Sequence, residues 1–537
     1  MKLFRLIRQY PVESSCFGLF ILLAVVGCCN HEMWYDEAQA WQIARSASVK
    51  DILFVIPHWE GHPPFWHLLL AIPAKLGVPW QWGVNTVGLL FMLASGFLIF
   101  FKAPFPRWVR CLLPFNYFLF YQYGIIVRPY APLTLLMLLL AVYFPQKDKR
   151  PALYVGLLAA LCACHLFGIA IAGGITLAWL WELKASRPWK TYFTALLKDT
   201  RFHKMLLLLG FVIVLFIGMR QTDGVLTAYL AYTKSFIKQL LYVLFALPAD
   251  TVLTDLGNPL YIMMEQFAWP GLLTTCAIGI LLWTILLLFL PRKRLLYLLL
   301  PYGFVAGILL HYCSRHHVGI MLVLFIWYAW ITLHDSPLRT QLPDAVKHLA
   351  KLLLVFSLIV PALWSMYALY LDYKLVFFPG KQVVAFLEKY NLTHKIIFAS
   401  WEIKSSDNKV FWGDPNTLPT ATMLNVYMPY NMIANFNNGS NKTYNINART
   451  STEKTKEITN YWRSQGLPDV LLGPAALPMV FKDVPDVAQQ YRAAWVSFLY
   501  IPWKFNKPKQ EDYAIYLRQE LWDELKDQIM AQPQAKH

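Results

Sequence analysis

The sequence predicts an all-α polytopic membrane domain of about 11 transmembrane helices followed by a small exported α/β domain. Three observations carry that expectation. Hydrophobic residues make up 57% of the 537-residue chain and charged residues only 15%, where a soluble domain carries about 25% charged residues. Apolar runs of bilayer-crossing length recur between residues 15 and 371, after which the chain turns polar and Asn-rich. The 21 Trp, 29 Tyr and 35 Phe suit headgroup-level aromatic belts. A mean hydropathy of +0.42 excludes a disordered chain, a collagen and an ordinary cytosolic enzyme.

The runs 15–30, 84–101, 110–126, 131–145, 205–219, 269–290, 295–312, 317–333 and 351–371 each read as one span, since about 20 residues cross the hydrocarbon. The run 152–183 is too long for one helix and is interrupted at His165–Gly168, so it reads as a tight hairpin of two spans. Lys2, Arg5 and Arg8 ahead of the first run read as a retained anchor rather than a signal peptide, because no small-residue cleavage site follows. The segment 63–76, with Pro63, Pro64 and Pro73, is too short to span. Charge parity decides its place. With the N-terminus inside and this segment uncounted, five basic groups all face the cytoplasm: Lys102/Arg107/Arg110, Lys147/Lys149/Arg150, Lys184 to Lys204, Arg292/Lys293/Arg294 and Arg339/Lys347/Lys351. The segment is then an interfacial or re-entrant helix on the outer face. The net charge of +17 follows from such cytoplasmic loops and asks for no nucleic acid.

The expected organisation is a membrane domain 1–371 with outer loops 31–83 and 220–268, then an extracytoplasmic domain 372–537. In the tail, Lys395–Ser400 and Asp469–Gly473 read as strands and Lys381–Tyr390 as a helix. None of the eight cysteines lies beyond Cys313, so the tail folds without disulfides.

Ionisable residues gather at the outer boundary. Asp36 and Glu37 open an amphipathic stretch just past the first span. They read equally as a solvated helix start or as a carboxylate pair held at headgroup depth. His58, Glu60 and His62 precede the double proline. A metal site from the two histidines and an Asp is conceivable, although proline disfavours helical geometry at His62. Arg128, His165, Arg220, Arg315 and His316 all fall at predicted outer ends of spans. Any one arginine there could simply snorkel, but together they make a phosphate site, which guanidinium groups suit by bidentate bonding. Carboxylates beside such a ring fit group transfer from a lipid phosphate. A carboxylate deprotonates or orients an acceptor hydroxyl while arginine stabilises the departing phosphate. No Walker motif and no GxGxxG after a strand is present, so no nucleotide fold is implied.

Tyr35-Asp36-Glu37-Ala38 after the first span, Gly61-His62-Pro63-Pro64 before a short helix, and Arg128-Pro129-Tyr130 at a later span resemble the GT-C glycosyltransferases. More narrowly, they are similar to the bacterial protein mannosyltransferase and lipid A aminoarabinose transferase group. The resemblance covers about the first 180 residues and the Arg315 region. It implies a glycosyltransferase of the bacterial inner membrane, inverting at the anomeric carbon. The donor is a polyprenyl-phosphate-linked sugar and the acceptor an extracytoplasmic lipid, cell-surface glycan or protein. In that likeness Asp36 is the base or acceptor-orienting group, with Glu37 completing the pair and Glu60 the acidic residue near the His-Pro motif. His62, His165 and Arg315 match positions near the donor phosphate, and Arg128 and His316 join them there from their place at the outer boundary. Where relatives often carry Arg at the start of the second span, this chain has Asn85. No cofactor is expected, with a divalent cation at Asp36 as the alternative. The rival readings are a ligase or polymerase using a polyprenyl-diphosphate-linked glycan, and a flippase or transporter of lipid-linked sugars.

Overall fold

The computed structural model describes residues 7–185, 189–220, 236–254, 269–289, 294–311, 313, 315–335, 343–399, 404–406, 409–411, 417–434, 436, 440–444, 466–474, 489–501 and 509–531. The chain divides into two compact units. One comprises Met1–Cys29, Leu53–Leu69 and Val84–Leu369; the other comprises Asn30–Ile52, Leu70–Gly83 and Tyr370–His537.

The first unit is helical and built for lipid. Among the described residues, eight helices are long and apolar enough to cross a membrane: Pro11–Asn30, Trp80–Lys102, Leu166–Lys184, Thr200–Met219, Phe236–Leu253, Trp269–Phe289, His316–His334 and Asp344–Lys374. Three shorter apolar helices, Tyr130–Gln146, Pro151–Cys164 and Leu296–Leu309, accompany them. On Thr200–Met219, Val214 is 65% and Ile217 70% exposed, a surface that water does not tolerate at this density and hydrocarbon does.

Two departures from the expected spans have local causes. The run 110–126 is not one helix. It forms a helix Arg107–Leu112, a 3-10 turn Leu113–Phe115 and a π-helix Phe118–Ile125. Pro114 cannot donate into the ladder, and the Asn116 side-chain oxygen accepts the Phe118 N–H at 2.9 Å to restart it. All eight residues of the π-helix are buried. The second departure lies in 220–268, expected to be an outer loop. It contains the apolar helical run Phe236–Leu253. Its polar residues disguise it in the sequence, and three of them make hydrogen bonds inside the unit. Gln239 Nε2 donates to the Leu309 carbonyl at 3.1 Å, and the Tyr242 hydroxyl to Asp250 Oδ2 at 2.6 Å.

The predicted break at His165–Gly168 is present. One helix ends at Cys164, the next starts at Leu166, and His165 between them has extended backbone (φ −165°, ψ 154°). A Cβ on Gly168 would lie 2.1 Å from the Leu161 carbonyl oxygen, so only glycine permits so close a fold-back. Asn85, standing where an arginine was looked for, donates to the Cys28 carbonyl at 3.0 Å and ties the first two long helices.

The second unit combines the chain after Tyr370 with two stretches of the first outer loop. Its four-stranded sheet has the order β1 (Ile397–Ala399), β4 (Val470–Pro474), β6 (Lys509–Arg518), β5 (Tyr491–Ile501), and β2 (Lys404–Ser406) pairs with β3 (Lys409–Phe411) separately. β1 and β4 run parallel in the register Ile397↔Val470, while β6 is antiparallel to both of its neighbours. β1 and β4 are the two strands expected from sequence, and helix Gly380–Lys389 matches the expected helix, burying Val383, Val384 and Leu387. Helix Tyr35–Ser46 belongs to this unit and packs on Thr417–Asn425. Gln42 Nε2 donates to the Thr422 carbonyl at 3.4 Å, and Arg45 Nη2 to the Asn425 carbonyl at 3.1 Å.

Candidate functional site

In the membrane unit, helix ends bring a cation and several imidazoles around one tyrosine. The short helix Ile56–Glu60 stops at Gly61, whose φ of 64° is a left-handed cap. The chain then reverses into His62, and Phe65–Lys75 begins beyond the double proline. The His62 ring centroid lies 4.7 Å from that of His165. Tyr130, the first residue of helix Tyr130–Tyr143, has its ring 5.1 Å from His165 and 5.9 Å from His316. The Arg128 guanidinium carbon sits 5.2 Å over the Tyr130 ring, a cation–π contact that orients the charge. His316 and His317 lie in the first turn of Arg315–Asp335 with rings 4.2 Å apart. The Tyr123 hydroxyl donates to the His316 carbonyl at 2.5 Å.

Protonation follows from partners. The Phe167 N–H donates to His165 Nδ1 at 3.2 Å, so that nitrogen is an acceptor and the neutral ring carries its proton on Nε2. Burial, then the charges of His62, His317 and Arg128, hold His165 well below the usual imidazole range. His67, buried in helix Phe65–Lys75, has no hydrogen-bond partner for Nδ1 among the described residues. Burial and the charge of His62 push it down to about 3. A fixed cation beside imidazole N–H donors, of which His165 is held neutral, is a surface that suits an anion.

The second unit holds two of the three expected carboxylates, Asp36 and Glu37. Helix Tyr35–Ser46 starts five residues beyond Asn30, the last residue of the first long helix. Glu37, 2% exposed, accepts the Trp34 N–H at 2.9 Å and meets His31 Nε2 at 3.0 Å. The other His31 nitrogen, Nδ1, meets Asp372 Oδ2 at 3.1 Å. Burial alone would lower the His31 pKa, but Glu37 and Asp372 outweigh it and push it up to about 10. Glu32 accepts the N–H groups of Phe377 and Phe378 at 2.6 and 2.9 Å. Burial raises its pKa against the pull of those bonds. Asp36, in the same helix start as Glu37, is half-buried.

The structure therefore separates the expected carboxylates by role. Glu37 is committed to the helix start and His31, Asp36 stands beside it, and Glu60 ends the short helix of the membrane unit. His62, Arg128, His165 and His316 are gathered as a group. Arg315 opens its helix, but its side chain lies outside the described residues. Arg220 is exposed just beyond Met219. Sequence reasoning missed His31, Glu32, Asp372, His67 and His317. His31 and Glu32 directly precede the motif that was read, but a pairing 341 positions apart, as in His31–Asp372, leaves no local signal. Among the described residues no group of three or more His, Cys, Asp or Glu is disposed to hold a metal ion. No protein-family model matches the chain, and no curated protein is similar to it in sequence.

Proposed function

We propose that the protein is an integral-membrane glycosyltransferase that moves a sugar from a polyprenyl-phosphate donor to an extracytoplasmic lipid, glycan or protein. The observation that carries this reading is the gathering of Arg128, His165 and His316 around Tyr130, with His62 packed on His165, from four separate segments. A guanidinium and several imidazoles set together at helix ends suit an anion, which they can bind through N–H donors. In a chain with this many apolar helices, a lipid phosphate is the anion at hand. The reading puts the enzyme in a bacterial inner membrane, N-terminus in the cytoplasm and tail outside, in keeping with the basic loops.

In the reaction, Asp36 takes the proton of an acceptor hydroxyl. That oxygen forms a bond to the anomeric carbon from the face opposite the phosphate, and the anomeric carbon–oxygen bond to phosphate breaks. The electron pair leaves with polyprenyl phosphate, whose charge Arg128 and the imidazole N–H donors stabilise. The configuration inverts, and the steps as written use no cofactor. Purified protein in nanodiscs, given polyprenyl-phosphate mannose, glucose or 4-amino-arabinose with cell-envelope acceptors, is expected to release polyprenyl phosphate with at least one of them. Asp36→Asn keeps the shape and removes the base, and should lower kcat by about 10²–10⁴. Release of a polyprenyl diphosphate instead, or movement of intact donor across the bilayer without cleavage, defeats the reading in favour of a ligase or a flippase. Loss of activity on chelation with recovery on Mn²⁺ would recast Asp36 as a metal ligand.

A further inference from the structure

His31 touches neither donor nor acceptor in that reaction, yet it is built into the start of the helix that carries Asp36. The link from Asn30 to Trp34 grips the exit of helix Asp344–Lys374 from two side chains. His31 Nδ1 meets Asp372 at 3.1 Å, and Glu32 holds the backbone of Phe377 and Phe378 at 2.6 and 2.9 Å. The Trp34 and Phe377 rings pack at 5.9 Å. On its other side the His31 ring meets Glu37 at 3.0 Å, through the same oxygen that accepts the Trp34 N–H. An ionised carboxylate only accepts, so carboxylates at both ring nitrogens call for a proton on each. The geometry is that of an imidazolium bridging two anions.

We propose that His31 is a positioning residue, which as an imidazolium between Glu37 and Asp372 fixes the first turn of helix Tyr35–Ser46 and hence the direction of Asp36. The proposal rests on Asp36 being the base of the reaction above. Glu37 follows Asp36 in that turn, so releasing Glu37 from His31 lets the turn rotate and takes Asp36 with it. A misplacement of about 1 Å in a reacting group costs roughly 10²-fold in rate. The carboxylate end of the bridge, Asp372, lies two residues after the second unit's third segment begins at Tyr370. The bridge therefore also fixes Asp36 against the start of that segment.

The test uses full-length protein in nanodiscs and whichever polyprenyl-phosphate sugar supports turnover. His31→Gln and Asp372→Asn are each expected to lower kcat about 10- to 100-fold. Donor KM and the affinity for polyprenyl phosphate should stay within about threefold. His31→Arg, which keeps a cation with donors on more than one side, should recover part of the loss. His31→Gln combined with Asp36→Asn should be no slower than Asp36→Asn alone, because both act through one group. Asp372→Asn leaves the His31–Glu37 pair in place and carries the test if His31→Gln does not fold. A folded His31→Gln with wild-type kcat overturns the proposal, as does a double variant whose losses multiply. The two readings fail differently. An active Asp36→Asn removes the base and this proposal with it, whereas an inactive Asp36→Asn beside a fully active His31→Gln removes this proposal alone.

Discussion

The rings of His31 and His67 are both largely withdrawn from solvent, yet one is charged and the other neutral. In the second unit, two carboxylates outweigh desolvation and hold His31 protonated up to about pH 10. In the membrane unit, burial acts together with the positive charge of His62 and keeps His67 neutral down to about pH 3. His165, among His62, His317 and Arg128, follows His67. Burial alone thus decides neither; the sign of the neighbours does. The second unit offers a carboxylate site whose imidazole serves as a structural cation, and the membrane unit a donor-rich site in which His67 and His165 are kept uncharged.

The largest effects expected are on catalysis, and they should split along that line. Asp36→Asn should act on kcat with donor affinity kept, whereas Arg128→Ala should act on the donor. Truncating a desolvated charged contact costs on the order of 2–5 kcal/mol, so donor KM should rise roughly 30- to several-thousand-fold. Arg128→Lys should recover only part, because the planar fork and its stacking on Tyr130 are lost. Arg315→Ala is expected to behave in the same sense. Donor titrations at saturating acceptor separate the two constants. Unchanged donor KM in both arginine variants would return these residues to plain snorkelling.

Glu37 separates positioning from chemistry within the second unit. Glu37→Gln keeps an acceptor for the Trp34 N–H but weakens the tie to His31. Its effect on kcat should be smaller than that of Asp36→Asn, about 10- to 100-fold, and comparable to that of Asp372→Asn. A Glu37→Gln as slow as Asp36→Asn would mean that the two carboxylates act as a chemical pair.

What the sequence revealed follows the range over which its signals act. Apolar runs, the break at His165 and the short strands at Ile397 and Val470 are local patterns, and they are present in the fold. The run Phe236–Leu253 escaped because Lys238, Gln239, Tyr242 and Asp250 dilute its hydropathy. Only the fold shows Tyr242 satisfying Asp250. Charge still constrains this helix. If it crossed fully, the basic triplet Arg292/Lys293/Arg294 would move outside, against the positive-inside rule. It should therefore enter and return on one face. Reporters inserted at residues 223 and 258 should both be extracytoplasmic, as should one at Gly77, with Gln146 cytoplasmic. Opposite faces for 223 and 258 would overturn that parity. At the candidate site, the helix-end motifs were legible residue by residue. The partnership of His31 with Asp372 was not, since it joins helix ends that only tertiary packing brings together.

The smallest expected effect is on stability, and it tests the two charge states directly. A group whose pKa is raised by folding stabilises fully below its unfolded value and loses that contribution as pH rises through the folded value. For His31 the window runs from the ordinary imidazole value of 6.5 up to about 10, so its bridge should weaken on the alkaline side. For His67, lowered from 6.5 to about 3, the contribution is complete above 6.5 and is lost as pH falls towards 3. The His165 shift has the same sign. Melting temperatures recorded from pH 4 to pH 10 in one detergent should therefore peak between the two windows. Each proton taken up or released on unfolding contributes a slope of about 1.4 kcal/mol per pH unit. His31→Gln should flatten the alkaline limb and leave the acid limb alone. His67→Leu fills the same space without a titrating group or an orphaned Nδ1, so it should flatten the acid limb, and only partly, because His165 still titrates there. An acid limb unchanged in His67→Leu would show that His67 gains its proton in the folded state. An alkaline limb unchanged in His31→Gln would show that the bridge between Glu37 and Asp372 holds without its charge.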